Sequence, residues 1–132
     1  MGLAPSAVLE RIRKLEKSGV IRGFEARLDP VAIGLQLLAF VFVRTNDSAH
    51  SRHTEKVLAA IPEVLEVHHI AGDDCFLMKV RTSNPQALGK LLRETVGRLR
   101  SVVSTRTTVV LETQKESSHL PLKFLVREKS RA

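Results

Sequence analysis

The sequence predicts an α+β fold: an antiparallel four-stranded sheet with two helices on one of its faces. Three observations predict it. From residue 35 onward the apolar periodicity runs in the order β-α-β-β-α-β. Core material is mostly Leu, Val and Ile, with five Phe and no Trp or Tyr, which suits a sheet covered by helices. A length of 132 residues, 43% apolar and 27% charged, fits one globular domain with a small appendage.

The chain opens with a predicted helix over Pro5 to Ser18. Val8, Ile12 and Leu15 form one apolar stripe, and Arg11, Arg13, Lys14 and Lys17 lie largely off it. Pro5 suits the first helical position and Gly19 the residue past the end. Val20 to Leu28 alternates as a strand until Asp29-Pro30 breaks it, because proline lacks an N–H and restricts its predecessor. A domain boundary is expected near Asp29 to Gly34. The expected divisions are 1–30, 31–115 and a basic tail, 116–132.

Leu35 to Thr45 is a nearly continuous apolar run, the pattern of a buried strand. Ser48 to Ile61 follows as a helix ended by Pro62. Val64 to Ala71 and Cys75 to Arg81 then read as two strands of a hairpin turning at Gly72-Asp73-Asp74. Asn84 is placed to cap a second helix, with Pro85 in its first turn and Leu88, Leu91, Leu92, Val96 and Leu99 as its stripe. Val102 to Glu112 closes the order as a strand, with Thr105, Thr107, Val109 and Leu111 on one face. This is the ferredoxin-like split βαβ arrangement, whose second sheet face stays bare unless something covers it. Sheet-to-sheet oligomerisation is therefore expected. The tail from Gln114 leaves two outcomes open, packing on a neighbour or fraying.

A formal charge of +7 favours a polyanionic partner, although many basic proteins bind no nucleic acid. The lone Cys75 excludes an intramolecular disulfide and suits a reducing cytoplasm. No stretch is long and apolar enough for a membrane helix, and the first residues lack the layout of a signal peptide. A soluble cytoplasmic protein is expected, with no membrane partner.

Leu3 to Phe24 closely resembles the recognition helix and following segment of the Lrp/AsnC (leucine-responsive, feast/famine) family of transcription regulators. Asp29-Pro30 followed by Gly34 is similar to that family's link into its sensing domain. The β-α-β-β-α-β stretch, with Gly72 in the hairpin and the Thr-rich run Thr105 to Leu111, resembles the sensing domain itself. The resemblance covers residues 3 to 115. It implies dimers made by sheet packing, rings of dimers, an amino-acid effector held between subunits, and DNA binding through the first helix. It also makes that helix the remnant of a helix-turn-helix unit whose two earlier helices precede this start. Met1 stands where family members often carry Val, so a start assigned downstream of the true one is expected. Two other departures are Ala4 in place of a capping Ser, and Cys75 where many members carry Asp.

Ser6, Arg11, Arg13 and Lys14 are the expected DNA-contacting residues, set against the alternative of an ordinary solvated helix face. Gly72, Asp73, Asp74, Ser104, Thr105 and Thr107 are the expected effector-binding residues. Against that, hairpin turns need Gly and Asp, and strands favour Thr, for backbone reasons alone. His50, His53, His68, His69 and Cys75 have no tight metal-ligand spacing, and neither a metal nor a cofactor is expected. With no phosphate loop, nucleophile elbow or dinucleotide fingerprint, no enzyme is expected. The competing function is a stand-alone sensing module that oligomerises without binding DNA. A small ferredoxin-like enzyme is the more distant alternative.

Overall fold

The computed structural model describes residues 4–46 and 51–124. Helix α1 covers Pro5–Lys17, β1 Leu37–Thr45, α2 Ser51–Ala59, β2 Val64–His69, β3 Phe76–Thr82, α3 Pro85–Leu91 and β4 Val102–Val109. The strands form one four-stranded sheet in the order β2-β3-β1-β4. Every neighbouring pair is antiparallel. Strands β1 and β2 are therefore parallel to each other across β3, and β3 and β4 across β1, giving two interlocked βαβ crossovers.

The core lies between the sheet and α2 and α3. Ala39, Val41 and Val43 of β1 and Phe76, Met78 and Val80 of β3 alternate inward, and all are essentially fully buried. Leu58 and Ile61 from the α2 side, Val64 of β2, and Leu88, Leu91 and Val96 from the α3 side complete the cluster. Residue type shows this period of two on β3 from Met78 to Arg81, whereas the continuous apolar run of β1 hides it.

Asn84 caps α3 as expected, its Oδ1 accepting the Ala87 N–H at 2.8 Å. Asn84→Ala is expected to cost about 1 kcal/mol, read as a lower denaturation midpoint with unchanged slope. The long second helix differs from expectation after Leu91. Its last turn, Leu92–Val96, is a π-turn, and the Gly97 N–H bonds the Leu92 carbonyl at 2.7 Å. A Cβ at Gly97 would stand 2.8 Å from that same oxygen, so the approach requires glycine.

Several boundaries move. The first strand starts at Leu37 rather than Leu35 and the second stops at His69 rather than Ala71. The hairpin's return runs Phe76–Thr82. The Ser48 start expected for the first sheet-covering helix lies outside the described residues. The last strand ends at Val109 instead of Glu112, and Leu111 beyond it is 97% exposed. Val109 is the last residue opposite β1, so Leu111 has no ladder to keep it on the expected face.

The larger correction concerns Val20 to Leu28, which forms no strand and pairs with none of the described strands. Its alternation is real, but a strand exists only with a hydrogen-bonding neighbour, and none of the described strands pairs with this segment. Phe24 and Leu28 are left 72% and 68% exposed. Ahead of it, α1 has the expected Ala4 N-cap without a side-chain bond, and Gly19 follows at φ +85. No residue of α1 is buried.

Candidate functional site

Hairpin β2–β3 is closed by the Ile70 N–H donating to the Cys75 carbonyl at 3.0 Å. The Cys75 N–H in turn reaches the Val43 carbonyl at 3.0 Å, tying the turn to the central strand. Gly72 sits at φ +128, a conformation that side chains rarely adopt, and a Cβ there would meet open space. Backbone at this point is thus open to an approaching ligand. Asp73 is exposed and Asp74 partly buried. Cys75 accepts the Thr45 hydroxyl on its sulfur at 3.1 Å.

Directly opposed residues share a sheet face. Thr105 and Thr107 oppose Val43 and Val41, so they lie on the helix-covered face. Ser104 opposes Arg44 and lies on the other. Within one protomer, β1 separates the hairpin from β4. The expected effector-binding set therefore does not converge on one pocket: Gly72, Asp73 and Asp74 form one group, Thr105 and Thr107 another, and Ser104 stands apart.

One residue that sequence reasoning missed bridges that separation. Arg106 of β4 lays its guanidinium over the Phe42 ring of β1, 4.1 Å from the centroid, and donates from Nη2 to Asp74 Oδ2 at 2.9 Å. The stack and the ion pair fix a cation beside the hairpin while leaving other guanidinium donors uncommitted. Only the register could have found it, since Phe42 and Arg106 become opposite each other once β1 and β4 pair.

The sheet face away from α2 and α3 carries Phe40, Phe42, Leu77, Lys79 and Arg106. It is not wholly bare. Residues 112–116 fold back over its end near Leu38 and Phe40, and Glu116 accepts from Lys79 Nζ at 2.7 Å. Arg27, in the segment after α1, donates to the Glu116 carbonyl at 3.4 Å. The hydrogen bond from Lys79 holds the Glu116 carboxyl below the usual carboxylate range. On β2, the His68 hydrogen bond lowers Glu66 in the same direction, with Lys79 also 3.6 Å away.

On α1, Ser6, Arg11, Arg13 and Lys14 are all exposed. Ser6 and Arg13 share a helical face, and Arg11 and Lys14 occupy the neighbouring one. The apolar stripe of Val8, Ile12 and Leu15 is turned away from Ser6 and Arg13, with Val8 41% and Leu15 38% exposed. His68 engages Glu66, and the His69 ring lies 5.2 Å from that of Phe76. His50 lies outside the described residues. Among the described residues no group of three or more His, Cys, Asp or Glu could hold a metal, and no helix is long and apolar enough to cross a membrane.

This architecture is that of a class of transcription regulators. It superposes on a transcriptional regulator of Neisseria meningitidis in complex with L-methionine, with a TM-score of 0.88 and 27% identity, covering 94% of this chain and 81% of that one. A feast or famine regulatory protein of M. tuberculosis complexed with L-methionine gives 0.80 and 35%, over 91% of this chain and 81% of its own. In sequence, the HTH-type transcriptional regulator FL11 of Pyrococcus horikoshii is 42% identical over 122 residues, 92% of this chain and 80% of that protein. The leucine-responsive regulatory protein of Escherichia coli is 38% identical over 125 residues, 93% and 76% of the two chains. Residues 38–120 match the profile of the Lrp/AsnC ligand binding domain. The chain belongs to the Lrp/AsnC family of transcription regulators.

Proposed function

We propose that this regulator binds a small amino-acid effector between subunits through its sheet-and-helix domain, and DNA through α1 when the helix is packed in a complete helix-turn-helix unit. Residues 1–30 serve the DNA-binding segment, 31–115 effector binding and oligomerisation, and 116–132 the tail. The observation that carries the reading is the ligand-binding-domain match over residues 38–120, together with methionine in two of the structural relatives. The hairpin fits the task chemically. Open backbone at Gly72 offers hydrogen bonds to an ammonium or carboxylate, and Asp73 and Asp74 offer negative charge to an ammonium.

A second subunit is part of the proposal because one protomer leaves the expected residues in separate groups. Phe40, Phe42 and Leu77 supply the apolar part of a sheet-to-sheet interface. Light scattering and calorimetric titration with L-methionine and a panel of other amino acids test it. A dimer or larger ring that binds one amino acid saturably, with a change in mass or stability, is the expected result. A monomer indifferent to the whole panel would contradict it.

The second reading, a sensing module without DNA binding, is favoured by one observation: α1 buries none of its residues. Salt-dependent binding to duplex DNA separates the two. If Arg11, Arg13 and Lys14 each neutralise one phosphate, log K falls against log salt with a slope of roughly −2.7 from these residues, and Arg11→Gln lessens it by about 0.9. Absence of duplex binding at low salt leaves the sensing module.

A further inference from the structure

A cavity of about 530 Å³ opens at the end of the sheet where β1 leaves and β4 begins. It is lined by Asn46, by His53 and Thr54 of α2, and by Arg98, Leu99, Arg100 and Ser101 of the loop entering β4. In the sheet, β1 stands between this loop and the hairpin of Gly72 to Asp74. None of the residues invoked for the amino-acid effector or for DNA lines the cavity.

Its chemistry is one-sided. Two guanidiniums and an imidazole stand around it, and no carboxylate is among the described lining residues. Among the described residues, neither arginine has an ion-pair partner. Behind them, the Thr54 and Ser101 hydroxyls hydrogen-bond to each other. Thr54 is fully buried. Arginine carries only donors, in a fork that matches the oxygens of carboxylate and phosphate.

The loop that presents the arginines is fixed rather than slack. The Gly97 N–H closes on Leu92, the Leu99 N–H reaches the Val96 carbonyl at 3.2 Å, and the Val102 N–H reaches Leu99 at 3.1 Å. The Asn46 N–H adds a bond to the Ser101 carbonyl at 3.0 Å. Two cations held by a pinned backbone lose less freedom on binding than two on a mobile loop.

From this we infer a second ligand site, separate from the hairpin, that takes a small organic dianion bearing a phosphate or paired carboxylates, with Arg98 and Arg100 as its charge-recognising residues. Leu99 supplies an apolar wall, and the volume suits a metabolite rather than a polymer. Inorganic phosphate and succinate are the probes, each titrated calorimetrically into the whole chain at fixed ionic strength. At least one is expected to bind saturably, and the tighter one identifies the head group.

Arg98→Gln with Arg100→Gln should weaken that binding at least tenfold. Both side chains are exposed, so the fold should be kept, which far-ultraviolet circular dichroism checks. Lys17→Gln with Arg22→Gln, equal in charge removed but exposed in the N-terminal segment, should change the affinity less than twofold. No saturable binding of either probe overturns the inference. Equal losses in the two double variants also overturn it, because they would mean general attraction to a basic protein.

Discussion

Phe76→Ala is expected to destabilise the protomer by about 3–5 kcal/mol, enough to leave much of the protein unfolded if its total stability is of ordinary size. Phe76 is 1% exposed and is among the largest side chains in the core. Its ring fills the space where β3 leaves the hairpin, beside Val43 on β1 and against the His69 ring on β2. Truncation removes apolar area and leaves a cavity that strands held by hydrogen bonds on both sides cannot close. Denaturation at several protein concentrations is the measurement, since oligomerisation adds a concentration-dependent share to apparent stability. A midpoint within experimental scatter of the wild type would mean that the core relaxes far more than its packing suggests.

Leu77→Glu, one residue further along, is expected to do the opposite: leave the protomer folded and break the assembly. Leu77 points to the other sheet face, opposite Phe42 on β1 and His68 on β2. In a protomer alone, Leu77 is partly exposed on that face, and a carboxylate there reaches solvent. In a sheet-to-sheet dimer the carboxylate would be buried without a partner, costing about 3 kcal/mol or more, or roughly a hundredfold in association. Sedimentation or light scattering across a dilution series should show the dimer giving way to monomer, with far-ultraviolet circular dichroism unchanged. An undiminished dimer would place the interface elsewhere and remove this face from the proposed assembly. The two neighbouring substitutions together separate folding from assembly.

The strand that holds these neighbours was legible in the sequence, but which of the two is buried was not, since Phe76 and Leu77 are both apolar. Lys79 and Arg81 mark the outward face of β3 further along, whereas the continuous apolar run of β1 hides its inward face until the pairing register is known. Asn84 was legible as the cap of α3, with Pro85 in the first turn after it. Failures came where structure depends on a partner outside the local pattern. Val20 to Leu28 alternates like a strand yet pairs with none of the described strands. Leu111 continues the alternation of Thr107 and Val109 beyond the last residue that pairs with β1.

The candidate site was less legible for the same reason. Ser104, Thr105 and Thr107 look like one hydroxyl cluster in sequence, and the pairing register sends Ser104 to the opposite face. Arg106 carries no motif of its own. Its place over Phe42 and against Asp74 follows from a register set by main-chain bonds, and three strands must be assembled before it can be seen. Glu116 was passed over as part of a polar tail, because nothing near it in sequence hints at Lys79, 37 residues away.

Glu116 has a consequence for how the two ends of the polypeptide communicate. Its carboxylate clasps the sheet through Lys79 while its carbonyl holds Arg27, so the late chain is stapled across the early chain. The Lys79 pair is half-open to water on the Glu116 side, and such contacts contribute at most about 1 kcal/mol, roughly a fivefold preference for the closed form. The clasp is thus a hinge pin that slips out often rather than a rivet. Arg27 is bonded to the same residue, so the segment after α1 and the stretch near Phe40 share one weak anchor on the sheet.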